Sequence, residues 1–137
     1  MAHKVRKVCY FRTTVMDRPG EAHKVLSSLA DIGINLLAFT AVPVGSNQAQ
    51  LSLFPDDDCQ IINEAKKVGM TLDGPHHALM VTGDDELGAF SEIHAKLAHS
   101  NVNVFASSGL TDGRGSYGYL LYLRSEDLER AEHALGI

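Results

Sequence analysis

Residues 14–38 read TVMDRPGEAHKVLSSLADIGINLLA, and residues 82–106 read TGDDELGAFSEIHAKLAHSNVNVFA. Superimposed at the 68-position shift that carries Gly20 to Gly88, they also match Thr14 with Thr82, Asp17 with Asp85, Leu29 with Leu97, Ala30 with Ala98, Asn35 with Asn103 and Ala38 with Ala106. The register holds further out, where Gly45 falls on Gly113 and Leu53 on Leu121. Conservative pairs such as Val25 with Ile93 and Ile34 with Val102 fill the gaps. The chain is therefore a duplicated unit, although two copies are too few for a solenoid.

Within the first copy, residues 8–15 are rich in β-branched and aromatic side chains and read as a strand. Residues 19–32 place Ala22, Val25, Leu26 and Leu29 at helical spacing, with Pro19 suited to the first turn and Gly33 to the stop. Residues 34–44 and 49–54 read as strands joined by a turn at Gly45, Ser46 and Asn47. Asp56, Asp57 and Asp58 favour the start of a second helix, whose apolar stripe is Ile61, Ile62, Ala65 and Val68. A short final strand is expected at residues 70–73.

The second copy repeats the order: strand 77–83, helix 86–99 with Phe90, Ile93 and Leu97 inward, strands 102–110 and 116–123, then a helix capped by Ser125 with Leu128, Ala131 and Leu135 on one face. Ending at Ile137, this copy has no room for a fourth strand. Its sheet is then either three-stranded, or its edge is covered by the segment starting at His3 or by a second subunit. The pattern implies an α+β fold, antiparallel sheets with helices on one face, divided into residues 1–74 and 75–137.

Composition excludes several classes. Of 137 residues, 45% are hydrophobic and 21% charged, ordinary for a globular chain and unlike disordered, collagenous or coiled-coil sequences. A net charge of -5 without a basic cluster argues against nucleic acid. No apolar run approaches the roughly 20 residues of a membrane helix, and the N-terminus lacks a signal-peptide segment. A cytoplasmic protein is expected, with Cys9 and Cys59 as buried thiols.

Asp17-Arg18-Pro19-Gly20 at the first strand-to-helix turn, followed by Gly33-Ile34-Asn35-Leu36 entering the second strand, resembles the ACT domain. That family is a ferredoxin-like ligand-sensing module, and the chain resembles a stand-alone tandem of two. The resemblance implies two βαββαβ repeats, the second lacking its last strand, and an amino acid bound where modules meet.

The residues fit such a ligand. Helix N-H groups after Gly20 suit a carboxylate, while Asp17 and the Asn35 carbonyl suit an ammonium, which must not be buried unpaired. Arg18 and Pro19, in the same turn, are expected among the ligand contacts. The same residues also admit a purely structural reading, in which Asp17 caps the helix and Asn35 satisfies the turn after Gly33. In the second copy Asp85, Gly88 and Asn103 are the matching contacts, but Asp84-Asp85-Glu86 lacks the Pro and crowds the anion position with carboxylates.

Other motifs lead away from catalysis. Gly113-Arg114-Gly115-Ser116-Tyr117-Gly118 spells the dinucleotide fingerprint but runs into a strand instead of a helix, so it reads as a hairpin turn. His76, His77, His94, His99 and His133 lack paired metal-ligand spacing, and the Asp56–Asp58 run lacks the rest of a calcium loop.

The chain is thus read as a non-catalytic regulatory sensor of a small molecule, an amino acid, needing no cofactor, forming a homodimer and acting on a regulated enzyme. The alternative is a dimerisation or protein-interaction module without a ligand. Two units of this size each bury only about 60% of their unfolded surface, so residues 1–74 expressed alone are expected not to be a cooperative soluble monomer. Urea unfolding and sedimentation of that fragment check this.

Overall fold

A computed structural model of the chain describes residues 3–56 and 58–137, without the side chains of residues 58–60. The elements are β1 (His3–Met16), α1 (Glu21–Asp31), β2 (Leu36–Pro43), β3 (Gln48–Pro55), α2 (Asp58–Lys67), β4 (Asp73–Asp84), α3 (Ala89–His99), β5 (Ala106–Thr111), β6 (Ser116–Tyr122), a 3-10 turn at Ser125–Asp127, and α4 (Leu128–Leu135). This is the expected α+β pattern of antiparallel strands with helices, read twice.

The repeat survives at the level of single hydrogen bonds. Phe11 pairs with Leu53 as Leu79 pairs with Leu121, and Phe39 with Leu53 as Ser107 with Leu121. Asp17 N-H donates to Asn47 O at 2.8 Å, and 68 positions on Asp85 N-H donates to Gly115 O at 2.9 Å. Ile34 N-H reaches Leu29 O, and Val102 N-H reaches Leu97 O, both at 2.9 Å.

Two compact units divide the residues, Cys9–His76 and the stretch up to Val8 together with His77–Ile137. In the first, the hydrogen-bonded order is β2-β3-β1-β4, and the core is built from Cys9, Phe11, Val25, Leu29, Leu51, Leu53 and Ile61. In the second it is β1-β4-β6-β5, with Leu79, Val81, Ile93, Leu97, Tyr119, Leu121 and Ala131 inside. Alternation along each strand sends one set of side chains under the helices. The division at residue 74 read from the repeat assigns all of β1 to the first copy. In the fold, residues 3–8 of β1 supply the second unit's additional strand: Val5 packs on its core, and His3 Nε2 lies 3.0 Å from Leu135 O.

Several local expectations differ from what is found. Residues 70–73 do not form a strand of their own; β4 begins at Asp73 and continues to Asp84. The first helices of the two copies start at Glu21 and Ala89, because Gly20 (φ 89°) and Gly88 (φ 83°) occupy the left-handed region and bar an earlier start. Pro19 therefore precedes the helix instead of opening it. Ser125 caps nothing by its side chain. The buried Asp127 secures the start of α4 by accepting from Arg124 Nε (3.2 Å), Arg124 Nη2 (3.1 Å) and Arg130 Nη2. Val68, expected on the apolar stripe of α2, lies beyond its end and is exposed. Cys9 is buried; the side chain of Cys59 and the whole of Asp57 lie outside the described residues.

Leu53 and Leu121 occupy equivalent positions and are fully buried. Leu53→Ala and Leu121→Ala are each expected to lose about 2–5 kcal/mol of stability through the cavity they open, measured by urea denaturation.

Candidate functional site

The first strand-to-helix turn is built by three backbone constraints. Asp17 N-H is tied to the β2–β3 hairpin at Asn47 O, Arg18 N-H turns back to Met16 O at 3.0 Å, and Gly20 takes the left-handed conformation. No side chain caps α1, so Asp17 is not its cap and its exposed carboxylate is left at the rim of the turn. First-turn N-H groups of a helix have no partner within it, and those of Ala22 and His23 belong to the first turn of α1. Arg18 Nε donates to Glu21 Oε1 at 2.7 Å, with Lys24 Nζ 3.5 Å from Glu21 Oε2. The hydrogen bond from Arg18 holds the Glu21 carboxyl below the usual carboxylate range.

The second turn repeats the backbone and changes the charge. Glu92 N-H reaches Gly88 O at 2.9 Å, as Lys24 N-H reaches Gly20 O at 3.1 Å. Asp84, Asp85, Glu86 and Leu87 are all exposed around it. An anion approaching α3 thus meets three carboxylates, whereas at α1 Asp17 and Glu21 are balanced by Arg18 and Lys24.

Asn35 and Asn103 do not join these turns. Asp56 N-H donates to Asn35 O at 3.0 Å, and Asn35 Nδ2 donates to Asp56 Oδ2 at 3.3 Å, which places Asn35 past the end of β3. Asp17 is tied to Asn47, ahead of the start of β3. The eight residues of β3 lie between, a separation of more than about 20 Å at strand rise. The convergence of Asp17, Gly20 and Asn35 on one helix end therefore does not occur within one module, because α1 carries the chain to the opposite end of the sheet before Asn35. Asn103, which follows α3 as Asn35 follows α1, is removed from Asp85 in the same way.

The structure assembles groups that the sequence does not announce. In the unit Cys9–His76 an open groove of about 820 Å³ lies above Arg12, Thr13 and Thr14 of β1, between α1 (Lys24, Val25, Ser28) and the connection formed by residues 68–73. Arg12 Nη2 donates to Asp73 Oδ2 at 3.1 Å and lies 3.1 Å from His76 Nε2, which donates to the same oxygen at 2.9 Å. These bonds, from His76 first and then Arg12, hold the Asp73 carboxyl below the usual range. In the other unit His94 Nε2 donates to Tyr119 Oη (2.5 Å), which donates to Ser107 Oγ (3.1 Å), under Phe90. Gly109 makes room for that ring: a Cβ there would stand 2.9 Å from Phe90.

Asp112 Oδ1 accepts from the N-H groups of Arg114 (2.7 Å) and Ser116 (3.1 Å), so the glycine-rich stretch is a hairpin tip between β5 and β6. Among the described residues no group of three or more His, Cys, Asp or Glu is placed to hold a metal, and no helix is long and apolar enough to cross a membrane.

A Cβ at Gly20 or Gly88 would meet nothing within 4 Å, so only the left-handed φ resists a side chain. Gly20→Ala and Gly88→Ala are each expected to lower stability by about 1–2 kcal/mol, read from denaturation midpoints.

No family model and no curated protein sequence matches the chain. Solved structures do. Protein BT0572 of Bacteroides thetaiotaomicron aligns over 97% of this chain and 88% of its own at a TM-score of 0.78 and 14% identity. Aspartokinase α and β subunits align over 98% and 95% at 0.68 and 17%. The ligand-free regulatory subunit of aspartate kinase from Thermus thermophilus aligns over 97% and 93% at 0.67 and 16%. At such identities the likeness carries the fold alone: the chain has the tandem ACT-type fold found in regulatory domains of aspartate kinase.

Proposed function

We propose that the chain is a regulatory module that senses an amino acid at the turn formed by residues 17–20 and transmits its occupancy to a partner enzyme. The observation that carries this reading is the end-to-end likeness to a separate regulatory subunit, in which nearly the whole of both chains is matched. A fold does not fix a function, and the local chemistry adds the second support. An uncapped helix end with first-turn N-H groups accepts a carboxylate, the glycine lets it approach closely, and Asp17 stands ready for the ammonium.

The second wall of the site has to come from another module. Asn35 of the same copy is at the far end of the sheet, so the ligand would bridge the turn of one chain and the Asn35 end of a second chain in a homodimer. Asp85, Gly88 and Asn103 form the weaker counterpart, because Asp84 and Glu86 repel a carboxylate. Exposed Phe105, just before β5, and Leu110, within it, favour the interaction-module reading should no ligand bind.

Thermal denaturation with each standard amino acid tests the proposal. One of them at about 100 times its dissociation constant should stabilise the protein by roughly 2.7 kcal/mol, very roughly 5 to 12 °C at this size. Asp17→Ala and Asn35→Ala should abolish most of that shift while the unliganded melt is retained, and Asn103→Ala should matter less. No shift with any amino acid rejects the sensor in favour of the interaction module; a larger effect of Asn103→Ala moves the site to the second copy.

A further inference from the structure

The groove over Arg12 has a structural origin that the second copy lacks. β1 runs on to Met16, whereas β4 begins only at Asp73, whose carboxylate meets Arg12; residues 68–72 are irregular and stand off from the end of β1. Thr13 Oγ1 bridges part of the gap by donating to Thr71 O at 3.2 Å. In the other unit the residues matching Lys24, Val25 and Ser28 are Glu92, Ile93 and Lys96, and with His3 they line a space of only about 10 Å³ against about 820 Å³. Equivalence at 68 positions also replaces Arg12 by Met80 and Lys24 by Glu92. The open, cationic groove belongs to one copy only.

Its polar groups stand together. Arg12 and Asp73 are paired, with His76 bonded to the same carboxylate oxygen. Arg12 Nε is the one buried side-chain polar atom among the described residues without a hydrogen-bond partner, a cost that falls if the guanidinium turns to meet an acceptor. Arg12 and Asp73 are solvent-reached, and such a pair holds weakly and opens readily.

Charge then selects the ligand. A simple anion at Arg12 would face the Asp73 carboxylate, and a simple cation at Asp73 would face Arg12 and Lys24. We propose that this groove is a second small-molecule site, sharing no side chain with the turn at residues 17–20, that takes a zwitterion carrying its ammonium and its carboxylate on the same carbon. Arg12 receives the carboxylate and Asp73 the ammonium, so one contact between the two side chains is replaced by two charge-matched contacts to the ligand. Thr14 and Ser28 supply hydroxyls along the wall, and the volume suits a small molecule. The proposal shares with the sensing reading only the class of ligand.

The test is a backbone amide NMR titration of the full chain with each standard amino acid at millimolar concentration, with acetate and methylammonium as single-charge probes. The expected result is that at least one amino acid shifts the amides of Thr13, Thr14, Ser28 and Thr71, that neither single-charge probe does so, and that Arg12→Gln and Asp73→Asn each weaken the response by about tenfold or more. Preserved spectral dispersion reports that the variants fold, and Lys24→Gln, at an exposed side chain, serves where Arg12→Gln does not. Shifts confined to Gly20, Ala22 and His23 overturn the groove and leave the sensing reading standing. Shifts in the groove alone support it and displace the turn as the sensing site. Acetate acting as well as any amino acid, insensitivity to both charge variants, or no shift anywhere overturns it.

Discussion

One strand carries more of this fold than its place in the sequence suggests. β1 has fourteen residues; from Cys9 onward they belong to one compact unit and up to Val8 to the other. A module of under 70 residues buries too small a fraction of its surface to spare a strand, and an uncovered sheet edge invites association. The second copy, with no strand after α4 among its described residues, is completed by residues that precede the first. The repeat boundary and the folding boundary are therefore different places in the chain.

That mismatch explains what the sequence does and does not disclose. A 68-residue period is visible because both copies need the same left-handed glycine before α1 and α3, the same apolar stripe along those helices, and the same hairpin after the second strand. Hydrogen bonds repeat with the same period, so the α+β architecture was legible from residue types alone. Nothing marks Val8 as a boundary, since a strand that changes partners keeps its alternation and its β-branched residues. The separate strand expected at residues 70–73 failed for a related reason: β4 is one continuous strand from Asp73, and only geometry shows where its neighbour stops needing it.

The site was legible in part. Gly20 and Gly88 occupy the turns expected of them, and Asp17 lies at the rim of the first. Asn35 had been placed beside them because motif spacing is a one-dimensional quantity, whereas a helix and a strand between two residues turn spacing into distance. Eleven residues of α1 carry the chain back along the sheet, roughly 16 Å at helical rise, before Asn35 appears. The Arg12, Asp73 and His76 cluster had no signature at all. It joins residues about 60 apart in sequence across an irregular connection, and none of its members falls in a motif.

The duplicated backbone makes the difference between the copies informative. The turn hydrogen bonds agree within a few tenths of an ångström, and the glycine before each helix is in the left-handed region, yet Arg18 and Lys24 are answered by Glu86 and Glu92, and Arg12 by Met80. Backbone equivalence with changed charge means that the two helix ends cannot hold the same ion equally well. In the second copy the space matching the groove is almost filled, with His3 in its lining and its segment needed there to complete a sheet. The strand that stabilises one unit thus closes its cleft, and the late start of β4 leaves the other unit's cleft open, so the open groove lies where the sheet is least complete.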